Sequence, residues 1–381
     1  MPPVIRPLLA TALSLAALDC AASAQDNRTY QTSAGQLRLT TVARGLEHPW
    51  GMAFLPDGRI LVTERPGRMR IVERDGRVST PLEGVPEVHA QGQGGLLGVA
   101  LDPAFEENRR IYFSYAEPGS SGAGTAVARA RLGDGRLEDM SVIFRQRPKV
   151  DASHHFGSRL VFGREGNLFV TMGDRGQKAP AQDLGSHIGK VVRINTDGSV
   201  PKGNPFVGRS GALPEIWSYG HRNIQGATRH PETGALWTAE HGAQGGDEVN
   251  NPQPGRNYGW PVITYGVDYG GGKIGEGTKK RGMEQPVHYW DPSIAPSGMT
   301  FYTGDRYPGW GGDLFIGSLK FGLLSRLEMK GRQVVREERL FEDFDPRIRD
   351  VVQGPDGLLY LLTDASNGEV IRVEPVARAS R

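Results

Sequence analysis

The chain has 381 residues, with 45 Lys and Arg against 43 Asp and Glu, for a net charge of +2. The two signs are interspersed, so no basic run marks a nucleic-acid surface. Hydrophobic residues make up only 38%, while 53 Gly and 26 Pro supply many chain reversals, which favours short strands over long helices. Residues 1–24 read as a secretory leader: Arg6, an apolar run from Pro7 to Leu18, then Ala22-Ser23-Ala24 before Gln25. That run is too short to span a bilayer, so no stable membrane insertion is expected. Cleavage would remove Cys20, the only cysteine, and lipid attachment there is disfavoured by Asp19. The mature chain, residues 25–381, is expected in the periplasm or outside the cell, with no disulfide and no thiolate metal site.

One phrase then recurs in altered form. It begins at Gly51 ("GMAFLPDGRILVTER"), Gly95, Gly157 ("GSRLVFGREGNLFVTMGD"), Gly226, Ser297 and Arg349 ("RDVVQGPDGLLYLLTD"). Each copy is a short strand, a Pro/Asp/Gly turn and a second β-rich strand, which is a hairpin signature. The spacing suits a four-stranded sheet plus loops, and six copies predict an all-β, six-bladed β-propeller filling residues 25–381. Glu64, Asp174, Glu240, His241, Lys320 and Asp364 stand at the ends of second strands. In a propeller these equivalent positions would converge on one mouth.

Three constellations carry candidate chemistry. In "DASHHFGSRL", His154 and His155 are adjacent. Strand alternation would send the two rings to opposite sides. A near-neutral imidazole is the usual base for removing a hydroxyl proton, and His155, nearer the mouth, is the candidate. His154 reads as structural, and Arg159 as a tether. In "DEVNNPQPGRNYGWP", Asp247 and Glu248 lie in a loop of exposed carbonyls, which suits Ca²⁺ as well as it suits a solvated turn. Zn²⁺ is disfavoured, because no thiol and no close histidine spacing supports it. Arg222, Lys320, Arg347 and Arg349 form a dispersed cation set. Arg347 and Arg349 would share one strand face, where like charges repel unless an anion lies between them. Asp345 and Asp350 are the local candidates for partners.

Taken together, "GQGGLLGVALDP", "HHFGSRLVFG", "GHRNIQG", "DEVNNPQPGRNYGWP", "SIAPSGM" and "SLKFG" resemble, in order, the soluble calcium- and quinone-dependent sugar dehydrogenases. That group comprises aldose sugar dehydrogenases and soluble glucose dehydrogenases, six-bladed propellers carrying pyrroloquinoline quinone (PQQ). The resemblance implies His155 as catalytic base, Asp174 as its supporting acid and Gln93 beside quinone and substrate. It implies cofactor contacts from Arg222, Asn223, Lys320, Arg347 and Arg349, with Ser293 and Tyr269 nearby. The carbonyls of Gly242 and Ala243 would bind the calcium that bridges to the cofactor. Glu248, with the Tyr258 carbonyl and adjacent to Asp247, would form a second calcium site. The implied reaction oxidises the C1 hydroxyl of an aldose to a lactone. Hydride passes to PQQ, and an external acceptor, a quinone or cytochrome, reoxidises it. A monomer or homodimer is expected. A metal-dependent propeller lactonase and a non-catalytic ligand-binding propeller are the alternatives, but neither needs converging cations.

Overall fold

The computed structural model describes residues 28–377, so the expected leader lies outside the described residues. Six antiparallel sheets follow one another around a ring. Blade 1 holds Pro49–Phe54, Ile60–Glu64 and Arg68–Val72; blade 2 holds Leu96–Leu101, Arg110–Gly119, Gly122–Leu132 and Leu137–Arg145. Blade 3 holds Leu160–Phe162, Leu168–Thr171, Lys190–Ile194 and Ile216–Tyr219, and blade 4 Ile224–Arg229, Leu236–Glu240, Asp247–Asn250 and His288–Trp290. Blade 5 holds Pro296–Phe301, Leu314–Ser318, Leu324–Lys330 and Gln333–Leu340. Blade 6 joins Ile348–Gln353, Leu359–Thr363 and Gly368–Pro375 to the N-terminal strands Gly35–Leu46 and Thr29–Thr32. The six-bladed all-β propeller expected from the repeats is therefore the fold.

The repeated phrase is the inner hairpin of each blade. In blade 1 the Leu55 carbonyl accepts the Gly58 N–H at 2.9 Å, and Asp57 Oδ1 accepts the Arg59 N–H at 3.0 Å. Gly58 takes φ +85°, where a side chain is disfavoured. Each hairpin turn lies at one end of the ring, so the start of the first strand and the end of the second meet at the other end. That end is the mouth. In five blades the innermost pairing slips register near the mouth, at Pro49/Gly51, Leu96/Val99, Ile224/Gly226, Pro296/Met299 and Ile348/Asp350. Bulges of this kind re-aim side chains beside functional sites.

The blades close the ring through apolar faces. Leu61, Leu96 and Phe113 join blades 1 and 2, and Tyr112, Leu160 and Val170 join blades 2 and 3. Val191, Ile224 and Leu236 join blades 3 and 4, and Trp237, Met299 and Ile316 join blades 4 and 5. Phe315, Ile348 and Leu361 join blades 5 and 6, and Met52, Val62 and Leu362 join blade 6 back to blade 1. Each such side chain contributes roughly 1.5–3 kcal/mol on burial. Buried second-strand hydroxyls add polar staples between neighbours: Thr63 Oγ1 donates to the Leu97 carbonyl (2.5 Å), Ser114 Oγ to Ser158 (2.6 Å) and Thr171 Oγ1 to Ile224 (3.1 Å). Arg159 is the expected tether: it donates to the Gln225 carbonyl at 2.7 Å and the Arg349 carbonyl at 3.1 Å, and pairs with Asp350 at 2.9 Å. It thereby ties blades 3, 4 and 6 across the axis.

Candidate active site

Two cavities adjoin at the mouth, with Gln93 on the wall of both. One, of about 420 Å³, is bounded by Trp50, Arg65, Lys320, Arg347, Arg349 and Asp364. The other, of about 400 Å³, is bounded by His154, His155, Asp174, Arg222, Trp260 and Tyr269. Volumes of this size suit small ligands.

His155 precedes the first strand of blade 3 at φ 57°, a left-handed backbone position rare outside glycine. Gln93 holds it there, its side-chain carbonyl accepting the His155 N–H at 2.9 Å. The histidine pair therefore lies in a loop rather than a strand. The two rings do not diverge as strand alternation suggested; they meet edge-on, with centroids 4.5 Å apart, and both face the cavity.

The imidazole Nδ1 lies 2.6 Å from Asp174 Oδ1. With a carboxylate there, Nδ1 carries the proton and Nε2 keeps its lone pair free to act as a base. Asp174 is buried and accepts two further bonds: Oδ1 also takes the Gly176 N–H at 2.8 Å, and Oδ2 takes the Trp260 indole N–H at 2.7 Å. Burial pushes the His155 pKa down, outweighing the opposing pull of Asp174. Burial pushes the Asp174 carboxyl up, but His155, the Gly176 N–H and Arg222 together hold it below the usual carboxylate value.

Arg222 is buried between the two halves of the mouth, its guanidinium 5.3 Å from the Trp260 ring centroid. It donates to the His241 carbonyl (3.2 Å) and meets the Tyr269 hydroxyl (3.3 Å), while its Nε has no hydrogen-bond partner. The neighbouring Asn223 anchors blade 3 through the Gly157 N–H (3.2 Å) and leaves its Nδ2 orphaned. A buried guanidinium without a carboxylate partner among the described residues, beside an orphaned amide, is donor chemistry suited to an anionic ligand. Lys320 adds an exposed ammonium, 5.0 Å from the Phe321 ring, with no carboxylate partner among the described residues.

Arg347 and Arg349 do converge, but the anion between them belongs to the chain. It is Asp364, whose Oδ2 lies 3.3 Å from Arg347 and 2.6 Å from Arg349, not the sequence-local Asp345 or Asp350. Burial pushes the Asp364 carboxyl up, yet Arg349, His48 and Arg347 hold it far below its usual value. Arg349 Nε stays orphaned and Arg347 is half exposed, so both retain donors for a ligand. Of the residues expected at the mouth, Asp174, His241, Lys320 and Asp364 arrive there. Glu64 and Glu240 do not: as last residues of their strands they turn into the blades, Glu64 to Arg68 (2.7 Å) and Glu240 to His221 (2.9 Å).

The expected calcium loop is rearranged by Asp247. Its Oδ1 accepts the Gly242 N–H (2.8 Å), and its Oδ2 accepts the Ser293 hydroxyl (2.6 Å) and the N–H groups of Ile294 (2.8 Å) and Ala295 (2.9 Å). Four donors fill the acceptor sites of one carboxylate. Asp247 therefore organises the loop, and Ser293 is one of the groups it holds. Glu248 and Glu240 share the Asn250 amide at 3.0 Å each, and burial followed by Glu240 pushes the Glu248 carboxyl up to about 8. Tyr258 stacks on His221 beside this pair, with ring centroids 4.8 Å apart. Among the described residues no group of three or more His, Cys, Asp or Glu side chains is placed to hold a metal. Hard oxygen donors of the kind Ca²⁺ takes are present in the loop: the backbone carbonyls of Gly242, Ala243 and Tyr258 and the Glu248 carboxyl.

Trp260, within "GRNYGWP", carries no sequence motif that marks it as a site residue. A buried indole needs an acceptor for its N–H, which is a weak signal that something polar faces it.

The comparisons accord with this arrangement. The family model described as Glucose / Sorbosone dehydrogenase matches residues 46–372. Aldose sugar dehydrogenase YliI of Escherichia coli (strain K12) is 49% identical over 336 residues, covering 87% of this chain and 91% of that protein. Quinoprotein glucose dehydrogenase B of Acinetobacter calcoaceticus is 30% identical, covering 85% of each. The PQQ-bound aldose sugar dehydrogenase from Streptomyces coelicolor superposes with a TM-score of 0.73 at 30% identity, covering 89% of this chain and 98% of that one. By fold, by motif and by these relatives, the chain belongs to the glucose/sorbosone dehydrogenase family.

Proposed function

We propose that this protein is a periplasmic quinoprotein that oxidises the C1 hydroxyl of aldose sugars to lactones, using PQQ and Ca²⁺. The observation that carries the reading is the His155–Asp174 pair, 2.6 Å apart, opening onto a cavity beside Arg222, whose Nε has no hydrogen-bond partner among the described residues. Relatives bearing the names aldose sugar dehydrogenase and quinoprotein glucose dehydrogenase support it. Arg222, Asn223, Lys320, Arg347 and Arg349 would hold the three carboxylates of PQQ, and the Gly242 and Ala243 carbonyls would hold the adjacent calcium. When bound, the quinone supplies the hydride acceptor and calcium the Lewis acid that sharpens its electrophilicity.

The chain's own part is proton handling and placement. His155 Nε2 takes the C1 hydroxyl proton as the C1 hydrogen leaves with its electron pair. Asp174 offsets the charge that His155 gains. Tyr269, 71% exposed, offers a face over the cavity for the ligand. A positioned base contributes on the order of 10² to 10⁴ in rate. His155→Ala should therefore lower aldose turnover at least ~100-fold, while the absorbance change on titrating PQQ into the protein persists. Unchanged turnover in this variant would remove His155 from the chemistry.

A further inference from the structure

We propose that Trp260 is a positioning residue for the His155–Asp174 pair, acting through its indole N–H on Asp174 Oδ2. The inference rests on the reading of His155 as base but adds a residue that this reading does not include. Asp174 has two oxygens and one task toward His155, which is to present Oδ1 to Nδ1. The Gly176 N–H also holds Oδ1, at 2.8 Å, but both bonds fall on one oxygen and leave the carboxylate free to swing about it. Trp260 Nε1 fixes the other oxygen at 2.7 Å. The indole is itself held at three points. Its ring lies under the Arg222 guanidinium, its carbonyl accepts the Gln182 amide at 2.7 Å, and its backbone N–H donates to Gly220 at 2.9 Å. Trp260 is 5% exposed, so the N–H faces Asp174 away from bulk water.

The consequence is electrostatic as well as geometric. A donor on Oδ2 draws charge from the carboxylate and weakens its hold on the imidazolium. Removing the donor should make His155 easier to protonate. The charged and titratable groups nearest the ring are Asp174, Arg222 and His154, with His241 beyond them and Tyr269 and the Lys178–Asp268 ion pair on the same cavity wall. Trp260→Phe leaves all of these in place and keeps an aromatic ring beneath Arg222.

Two measurements on the cofactor-free full-length protein test this without relying on the redox reaction. In wild type, the Trp260 indole ¹H resonance should move with pH at the midpoint of the ¹⁵N signals of His155. In Trp260→Phe, the His155 midpoint should rise, and in an Asp174→Asn background the same substitution should no longer move it. With cofactor restored, kcat should fall ~10-fold, a decade less than the smallest loss expected on removing the base itself, with KM changed less than about twofold, the mark of a group acting in the transition state rather than on binding. An indole resonance indifferent to His155 titration would overturn the proposal even if the variant failed to fold. So would a midpoint shift of the same size in both backgrounds. Failure of the quinone reading would show instead as no turnover in wild type with these NMR couplings intact.

Discussion

His155 illustrates how backbone and environment together set the chemistry of one residue. Its left-handed φ of 57° turns the ring from the strand direction into the cavity, and Gln93 secures the turn. Burial lowers its pKa below the ordinary 6.5, so the ring stays neutral, and able to take a proton, into mildly acidic solution. The acid limb of kcat/KM should therefore have its midpoint below about 6.5. A midpoint well above that would contradict the burial argument. The sign for stability follows the same linkage. The unfolded chain protonates this histidine at the ordinary value and the folded chain only at lower pH, so His155 erodes stability as pH falls between the two. At this scale the sequence was a partial guide. The Arg347/Arg349 pair was visible as two cations on one face, but the carboxylate between them, Asp364, lies just past the next strand of blade 6 and comes into reach only when the hairpin forms.

Among the elements, the short turn Ala179–Gln182 carries more than its length suggests. Lys190, fully buried at the start of a blade 3 strand, donates Nζ to the carbonyls of Pro180 (2.8 Å), Ala181 (3.1 Å) and Ile188 (2.7 Å). Burial pushes its pKa down to about 7, and the three carbonyls supply what the lost water would have given. Gln182, in the same turn, reaches the Trp260 carbonyl and the Asn257 amide. Lys190→Met would keep the packing volume but take the ammonium from three carbonyls, of which Pro180 keeps the Asp183 N–H (3.1 Å) and Ala181 the Gly220 N–H (3.0 Å), while Ile188 loses its donor. It should cost ~3 kcal/mol, read as a lower urea midpoint with an unchanged m-value. A loss under about 1 kcal/mol would mean that water replaces the ammonium. Asp-Gly turns announce the hairpins in the sequence, because their positive φ is a local demand. The closure of blade 6 is not announced. Leu39 pairs with Val373 across most of the chain, and nothing local in Gly35–Leu46 names that partner.

At the level of the whole molecule, six apolar interfaces hold six sheets in a ring, and their shared polarity brings one end of every inner hairpin to a single mouth. Blade number was legible because each blade repeats one hairpin phrase. Convergence of distant charges followed from that count, with the exceptions of Glu64 and Glu240, where a difference of one to three residues at a strand end decides between mouth and blade interior. The carboxylates and carbonyls of the Asp247 loop were legible in composition but their partners were not, since Asp247 spends its oxygens on Gly242, Ser293, Ile294 and Ala295. A ligand that joins cations from blades 4, 5 and 6 binds only the closed ring and should raise the melting temperature, by about 2.7 kcal/mol of stabilisation at a concentration 100 times its Kd. The most direct measurement of the central claim is reconstitution. The purified protein is mixed with PQQ and Ca²⁺ and assayed for aldose-dependent reduction of an artificial dye. The expected result is dye reduction that requires PQQ, Ca²⁺ and the sugar together, with a lactone as product. No change in the PQQ absorbance on mixing, and no sugar-dependent reduction, would contradict it.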